Sequence, residues 1–343
     1  MVANLLMLNA LNLPLLNRIR WILWPFSIAY GLVMELRNWG FRVGLLKSVS
    51  FDVPVVSVGN LAVGGTGKTP MVKYLIQEYQ GTKTIGVLSR GYGRITKGFG
   101  LVEIDSLAKN VGDEPLEIKT LYPDTTVTVC ENRALGIPEM LAINPDIDLI
   151  ILDDAYQHQY VKPDVSILLS TYANPYHTDF VMPMGRLREF RKNINRADVL
   201  IYTKSPDLNQ HHKSDLLPTL SSQLHYEDLI KVFGEERQVE RPIIVSGLAD
   251  NSLLQQTIQN QYPNAVLLGF KDHRNYSITE VKQMIYDADR LDNNIITTEK
   301  DWVKLKTFVL DLKPDVTFWI QPIRLGFSDP NLLKKLIDQK INA

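Results

Sequence analysis

The sequence contains little cysteine and almost no net charge. Cys130 is the only cysteine among 343 residues, so an internal disulfide is excluded, which fits a reducing compartment or a fold that needs no covalent cross-link. Lys and Arg together number 37 and Asp and Glu 38, which gives a net charge of −1. The basic excess that general nucleic-acid binding uses is therefore missing. We expect no nucleic-acid partner, and no motif implies a protein partner.

Long unbroken apolar runs, repeats and low-complexity tracts are also missing. Residues 1–17 carry no positive side chain and no A-x-A-like site follows them, so we do not expect a cleaved signal peptide. The longest uncharged run after Arg20 is Trp21–Met34, which is shorter than the roughly 20 residues of a membrane span and contains Pro25. The composition, 45% hydrophobic and 22% charged, is typical of a folded globular protein, and the length predicts about two domains.

The N-terminal segment of the chain is unusually basic. Residues 1–50 have a net charge of +4, so the remainder has −5. Polar and small residues recur there every three, four or seven positions and would form one narrow stripe on a helix. They are Asn17, Arg20, Ser27, Gly31, Glu35, Asn38 and Arg42. A broad apolar face with tryptophan beside basic residues is typical of a helix lying in a bilayer interface. The alternative is a helix packed on the protein's own core.

A glycine-rich loop follows the first apolar strand of the chain. Pro54–Val58 is short and β-branched, Gly59–Thr69 reads GNLAVGGTGKT, and Met71–Tyr79 has helical spacing. A strand, a glycine-rich loop and a helix are the context of a Walker A phosphate-binding loop (P-loop). The candidate nucleotide-binding residues are Gly64, Gly65, Thr66, Gly67, Lys68 and Thr69. Backbone N–H groups would surround phosphate oxygens, Lys68 would reach the β- and γ-phosphates, and the Thr69 hydroxyl would bind Mg²⁺.

This loop departs from the pattern G-x-x-x-x-G-K-[ST] at one position. Ala62 stands where the first glycine belongs. Three glycines among the last four positions before Lys68 offset the departure, since they supply the backbone freedom that the loop needs.

Several acidic residues follow predicted strands or begin predicted helices. Asp148–Asp154 is a strand of four apolar residues that ends in two acids. In P-loop proteins such a strand delivers an aspartate to Mg²⁺, for which Asp153 is the candidate. Asp154 could contact a metal ligand without binding the metal itself, or it could orient a nucleophile. Asp113 and Glu114 begin a helix, where capping is the commoner use of such residues. His158 is either a site residue or a surface histidine.

Strands and helices alternate along the chain, which predicts an α/β fold with a parallel sheet covered on both faces. The predicted strands are Val53–Val58, Thr84–Ser89, Thr126–Val129, Asp148–Asp153, Val165–Leu169, Asp198–Thr203, Ile243–Ser246, Ala265–Phe270, Asn294–Thr298 and Val316–Ile320; the helices between the early strands are Thr69–Gln80, Asp113–Leu121 and Glu131–Ile143. We expect an N-terminal amphipathic membrane-associated region (1–47), a P-loop NTPase-type kinase domain (48–222), a linker (223–242) and a smaller α/β domain (243–343).

Together the motifs resemble one family, the tetraacyldisaccharide 4′-kinases (lipid A 4′-kinases) of Gram-negative envelope synthesis. The matching segments, in family order, are Trp24–Gly31, Val58–Pro70, Ser89–Arg94, Gly112–Pro115, Asp153–His158, Pro183–Glu189, Asp272–Tyr276 and Thr298–Asp301. The family's P-loop also lacks the first glycine, so Ala62 is a family trait. Ala155 and Tyr156 depart mildly from the family's D-D-G-F-Q-H, and Arg274 stands where the family often has a histidine or an aromatic residue.

The resemblance implies a reaction and a place in the cell. ATP, with Mg²⁺, would phosphorylate the 4′-hydroxyl of a lipid A disaccharide 1-phosphate precursor to give lipid IVA. The enzyme would act at the cytoplasmic face of the bacterial inner membrane, as a peripheral or shallowly anchored protein that contacts the lipid surface.

The resemblance also implies roles for particular residues. Asp113 and His273 would form a catalytic dyad that helps take the proton of the sugar hydroxyl. Glu114 would approach Mg²⁺ rather than cap a helix. Arg188 would hold nucleotide phosphates, since a guanidinium binds spread negative charge bidentately. Glu189, Arg133, His158 and Asp154 would contact phosphate or substrate, or support the residues that do.

Two other functions remain open at this point. A P-loop GTPase or metallochaperone-type switch is one, because Thr203–Asp207 superficially resembles the guanine-reading [NT]-K-x-D. Pro206, however, occupies the aspartate position, and Cys130 alone offers no thiolate cluster for a metal. A membrane-bound ATPase that acts on proteins is the other.

Overall fold

The computed structural model describes residues 20–208, 216–248, 250–271 and 274–342, which form an α/β fold with a large, mostly parallel sheet. In chain order, strands β1 to β14 are Val55–Asn60, Ile85–Ser89, Gly100–Leu101, Thr126–Val129, Leu149–Asp153, Val165–Thr171, Val199–Thr203, Thr219–Tyr226, Ile230–Phe233, Ile243–Ser246, Val266–Gly269, Asn294–Thr298, Thr317–Gln321 and Ile323–Phe327. Helices α1 to α9 are Trp24–Arg42, Lys68–Tyr79, Ala108–Val111, Asp113–Leu121, Arg133–Ile143, Ser252–Gln261, Ile278–Asp289, Glu299–Leu312 and Pro330–Ile341. Each predicted strand and helix is present, with ends within two residues of the prediction.

One compact unit consists of Met1–Lys68, Leu152–Gln223 and Phe327–Ala343. Within it the strands lie in the order β8–β7–β6–β1, and all three neighbouring pairs are parallel. Every residue of β1 is buried. Burial on both faces explains why its valines, Val55, Val56 and Val58, do not simply alternate with polar residues.

The other compact unit consists of Thr69–Ile151 and Leu224–Gly326. Here β2 pairs in parallel with β4, which pairs antiparallel with β3. A second sheet has the order β11–β10–β12–β13–β9, with β9 antiparallel to β13. Its core contains Ile243, Val281, Ile295, Leu305 and Phe318. The predicted domain boundaries at residues 222 and 243 stay predictions.

Helix α1 has the opposite orientation to an ordinary surface helix. Its buried residues are Ser27, Gly31 and Asn38, which belong to the polar and small stripe, and Gly40, which lies on the other side of the helix close to Leu46. The large apolar side chains face outward: Leu32 is 58% exposed and Leu36 is 67% exposed. The polar stripe therefore packs on the protein and the apolar face is left to the surroundings. Asn17, the first predicted member of the stripe, lies outside the described residues.

No helix in the described parts of the chain is long and apolar enough to cross a membrane.

Candidate active site

The glycine-rich loop joins β1, which ends at Asn60, to α2, which begins at Lys68. Gly64 and Gly67 have φ values of +116° and +86°, which glycine adopts without strain. The first N–H groups of a helix have no partner within the helix and carry partial positive charge. The loop and the start of α2 thus form a place where an anion would be stabilised.

Thr66 fixes the shape of this loop from inside. It is 4% exposed, and its hydroxyl accepts a hydrogen bond from the Asn60 side-chain amide at 2.7 Å. Its carbonyl accepts one from the Thr203 hydroxyl at 2.8 Å, and its N–H donates to the Gly64 carbonyl at 3.0 Å. The polar groups of Thr66 form hydrogen bonds within the protein, so this residue fixes the shape of the loop.

The position of Ala62 explains why the first glycine of the pattern is dispensable here. Ala62 forms an antiparallel bridge with Leu187. The Val63 N–H donates to the Arg186 carbonyl at 2.9 Å, and the Arg188 N–H donates to the Leu61 carbonyl at 2.7 Å. Extended pairing of this kind suits alanine. It also fixes the segment that carries Arg188 directly against the loop.

Asp154 brings two cationic side chains of the site together. Its carboxylate accepts from both terminal nitrogens of Arg188, at 3.0 and 3.3 Å, and its Oδ1 lies 3.8 Å from Lys68 Nζ. Asp154 has a φ of +47°, a left-handed conformation that costs a non-glycine residue about 1–3 kcal/mol and is common at functional sites. The arrangement presents a lysine and an arginine beside the glycine-rich loop.

Gln157 and Glu189 support this group from behind. The Gln157 side-chain oxygen accepts from Arg188 at 3.1 Å, and its amide nitrogen donates to the Asn60 carbonyl at 2.8 Å and to Glu189 at 3.2 Å. Glu189 is 1% exposed and is paired with Arg196 at 2.7 Å, and it also accepts from Asn38 of α1 at 2.7 Å. Gln157 therefore links the buried Glu189 to Arg188.

The remaining residues of the Asp153–His158 motif differ in their burial and in their contacts. Asp153 is buried at the end of β5, and the His158 ring lies 5.6 Å from the Tyr160 ring. The Tyr156 hydroxyl donates to the Asn193 carbonyl at 2.6 Å, so the tyrosine that departs from the family's phenylalanine has a partner for its extra oxygen. Burial raises the pKa of Tyr156 and keeps it a donor.

In the second unit, Asp113 begins α4 directly after a glycine of unusual conformation. Gly112 has a φ of +95°, and a Cβ there would lie 3.1 Å from the Cα of Gly91. The close approach of two glycines explains why both the Ser89–Arg94 and the Gly112–Pro115 motifs contain one at these positions. Asp113 Oδ2 lies 3.2 Å from the Nζ of Lys304, a residue of α8.

Lys304 is nearly enclosed. Its Nζ also lies 3.5 Å from Asp301 Oδ1 and donates to the Arg274 carbonyl at 3.0 Å. The Tyr276 hydroxyl donates to Asp301 at 2.9 Å. Burial, with the Asp301 carboxylate beside the phenol, raises the pKa of Tyr276, so it stays protonated. The sequence alone indicates neither the position of Lys304 nor the contact of Tyr276 with Asp301, although Asp272–Tyr276 and Thr298–Asp301 match family motifs.

The positions of the other predicted site residues of this unit, Arg133 and Glu114, do not by themselves indicate a role. Arg133 is 2% exposed at the start of α5 and donates to the Glu131 carbonyl at 3.2 Å. Glu114 lies in the first turn of α4, beside Asp113. His273 lies outside the described residues, so its pairing with Asp113 stays a prediction.

The carboxylates present are compatible with Mg²⁺. In the described parts of the chain no group of three or more His, Cys, Asp or Glu side chains is arranged to hold a metal. Nucleotide-bound Mg²⁺ usually needs only one or two protein carboxylates, since phosphate oxygens and waters complete its shell. Asp153, with a buried carboxylate at the end of β5, offers the oxygen chemistry that this ion prefers.

Comparisons with known proteins agree on one family. The profile of LpxK, tetraacyldisaccharide-1-P 4′-kinase, matches residues 19–342. A tetraacyldisaccharide 4′-kinase of Cytophaga hutchinsonii is 37% identical over 93% of this chain and 95% of its own, and one of Flavobacterium johnsoniae is 38% identical over 85% and 89%. The crystal structure of LpxK from Aquifex aeolicus in complex with ATP is similar with a TM-score of 0.78 and 30% identity, covering 94% of this chain and 99% of that one. The chain belongs to the tetraacyldisaccharide-1-P 4′-kinase family.

Proposed function

We propose that this protein transfers the γ-phosphoryl group of ATP to the 4′-hydroxyl of a lipid A disaccharide 1-phosphate precursor, giving lipid IVA. The observation that carries the proposal is the grouping of Lys68 and Arg188 on Asp154 beside the glycine-rich loop. Family membership supplies the acceptor, and the ATP-bound LpxK of Aquifex aeolicus supports the donor.

The nucleotide phosphates would be held by the loop and the two cations. Backbone N–H groups around Gly64, Gly65 and Gly67 would face phosphate oxygens, with Thr66 shaping the loop. Lys68 supplies a point charge and Arg188 a planar pair of donors, which together stabilise the charge that spreads over the transferred group. Before the nucleotide binds, Asp154 keeps both cations close to where the phosphates will lie.

The proposed ligands of Mg²⁺ are Thr69, Glu114 and Asp153, because hydroxyl and carboxylate oxygens are the donors that this ion prefers. When bound, this ion neutralises phosphate charge. The protein's own part is to present the Thr69 hydroxyl in the first turn of α2 and the Asp153 carboxylate at the end of β5.

Asp113 is the proposed general base. Its carboxylate would accept the proton from the 4′-hydroxyl as that oxygen attacks the γ-phosphorus and the bond to the bridging oxygen breaks to release ADP. His273 would orient the carboxylate and balance its charge. Asp113 lies in the first turn of α4, where the helix N-terminus stabilises a negative side chain. Arg133 and His158 are proposed to contact substrate or phosphate, and Glu189 to support Arg188.

Helix α1 is proposed to hold the enzyme on the cytoplasmic face of the inner membrane. Its outward apolar side chains would enter the lipid interface, as in amphipathic helices that lie in the membrane plane. The positive charge of residues 1–50 would favour an anionic surface.

A phosphoryl-transfer assay tests the reaction. The full-length protein, purified in detergent, is incubated with γ-labelled ATP and purified tetraacyldisaccharide 1-phosphate. We expect label in the lipid product, dependent on Mg²⁺ and on the acceptor. Turnover of GTP without any acceptor would instead support a GTPase switch, and labelled protein in place of labelled lipid would support a protein-directed ATPase.

A flotation assay tests the membrane proposal. Serine is placed at Leu32, Val33 and Leu36, and binding to vesicles of phosphatidylethanolamine and phosphatidylglycerol is measured. Each exposed side chain contributes roughly 1.5–3 kcal/mol when it leaves water, so we expect bound protein to fall at least about tenfold. The matched control places serine at three exposed leucines elsewhere: Leu135, Leu253 and Leu310. Equal loss in both triple variants would contradict a role for α1.

A further inference from the structure

Lys304 is a buried cation that is paired with acidic groups of the protein. Its side chain is 4% exposed, and its Nζ contacts three groups: Asp113 Oδ2 at 3.2 Å, Asp301 Oδ1 at 3.5 Å and the Arg274 carbonyl at 3.0 Å. Lysine usually keeps its ammonium group in water, since burying a charge is costly unless it is paired. Here the cost is offset by two carboxylates and one carbonyl.

Asp301 fixes the lysine in place. This carboxylate is fully buried and accepts hydrogen bonds from the Gly247 N–H at 2.8 Å, from the Thr298 hydroxyl at 2.7 Å and from the Tyr276 hydroxyl at 2.9 Å. A carboxylate with so many donors cannot move without leaving buried polar groups unsatisfied. The ammonium group next to it has a fixed position in consequence.

The Asp113 carboxylate is thus held by a charge that is itself immobile. Asp113 is 13% exposed and begins α4, so its backbone is fixed by the helix but its side chain could still rotate. A contact from Oδ2 to a rigid ammonium group removes that freedom. Misplacement of a reacting group by about 1 Å costs roughly 10²-fold in rate, so such a restraint has a measurable value.

We propose that Lys304 is a positioning residue for phosphoryl transfer, which holds the Asp113 carboxylate in the orientation that accepts the hydroxyl proton. This inference rests on the proposed function of Asp113 as general base. Lys304 would act through Asp113, the carboxylate that its Nζ contacts. Asp301, with the three donors that surround it, anchors the lysine.

Kinetics of Lys304→Met test the inference on the full-length protein. Methionine keeps the length and apolar stem of lysine but removes the charge. We expect kcat to fall by about 10- to 100-fold, while KM for ATP and KM for tetraacyldisaccharide 1-phosphate each change less than about threefold. Lys304→Arg, which keeps the charge, is expected to recover part of the loss. Lys306→Met, on the same helix but away from Asp113, is the matched control.

The double variant Asp113→Asn/Lys304→Met separates a positioning role from a merely structural one. If Lys304 acts through Asp113, the double variant is no slower than Asp113→Asn alone, because residues that act as a unit are not additive. Rate losses that multiply would overturn the inference, as would a wild-type kcat in Lys304→Met. Should that variant fail to bind ATP, Lys304→Gln, which keeps a donor for the Arg274 carbonyl, takes its place.

The failure of this inference differs from the failure of the proposed function. If wild-type protein transfers no phosphate to the disaccharide, the proposed function is wrong. If the wild type is active and Lys304→Met is equally active, only the role of Lys304 is wrong.

Discussion

Asp154 and Asp113 are both aspartates paired with cations, but their surroundings differ. The side chains of Asp154, Lys68 and Arg188 are 27%, 16% and 24% exposed. Asp113 is 13% exposed, and its partner Lys304 is 4% exposed. In the first group water reaches the ions, and in the second the cation is almost completely enclosed.

The difference in exposure suits the two aspartate–cation pairs to two different purposes. An ion pair that water reaches is weak, so its cations can exchange a carboxylate for a phosphate at little cost. A buried ion pair cannot change partners, because a separated charge would remain in an apolar interior. The open group suits binding and release, and the buried pair suits holding one side chain still.

The largest effect is expected from Asp113→Ala. Loss of a general base lowers turnover by about 10² to 10⁴, with only a modest change in ATP affinity. Steady-state kinetics with varied ATP and acceptor would measure both. Normal turnover in this variant would mean that the buried pair has no catalytic role and that the base lies elsewhere.

Lys73→Met tests what a buried lysine contributes to stability alone, for comparison with Lys304, whose proposed role is to position Asp113 for catalysis. Lys73 is enclosed between Glu117 and Glu299, each at 2.7 Å. Burial alone would lower the pKa of Lys73, but the two carboxylates outweigh it and raise the pKa, so the lysine is charged. Its removal leaves two buried acids unpaired, and we expect the free energy of unfolding to fall by about 3–5 kcal/mol.

Thermal or urea unfolding of Lys73→Met would measure that loss. Lys335→Met, at an exposed position of α9, is the control and should change stability little. An unfolding transition as stable as that of the wild type would show that the buried lysine is not needed to balance the acids.

Arg188→Lys tests the open group. Lysine keeps the charge but loses the two parallel donors, so we expect KM for ATP to rise about tenfold while the fold is unchanged. The control is Arg324→Lys, since Arg324 forms an exposed pair with Glu227 and its side chain is 59% exposed. Equal kinetics for both variants would argue against phosphate binding by Arg188.

The smallest effect is expected from salt. Ions screen accessible charges far more than buried ones, so raising KCl from about 0.05 M to about 0.5 M should raise KM for ATP roughly threefold and leave kcat nearly constant. If kcat falls as much as affinity does, water and ions reach the Asp113 pair, and the contrast between the two groups is lost.

Much of the fold was predictable because its signals are local. The apolar run of β1, the glycines before Lys68 and the two acids after β5 each lie within a dozen residues, and the structure places strands and helices accordingly. Lys68, Arg188 and Asp154 were all predicted as site residues, and the structure brings the three together.

The missed residues act through contacts distant in sequence. Lys304 lies on α8 and contacts Asp113 on α4, and Gln157 of the Asp153–His158 motif contacts Arg188 of the Pro183–Glu189 motif. No periodicity or spacing indicates such a pairing, because a buried lysine and a surface lysine look alike in a sequence. The stripe of α1 was recognised, but the partners of its polar side chains, such as Glu189 for Asn38, required the tertiary structure.

The inward polar stripe of α1 has a practical consequence for making a soluble form of the enzyme. Truncation before residue 43 would remove Asn38 and leave the buried Glu189 carboxylate one donor short, in the segment that carries Arg188. Exchange of the outward leucines for polar residues keeps every inward hydrogen bond. A soluble form should therefore be made by substituting the outward apolar side chains of α1, and the helix itself should be kept.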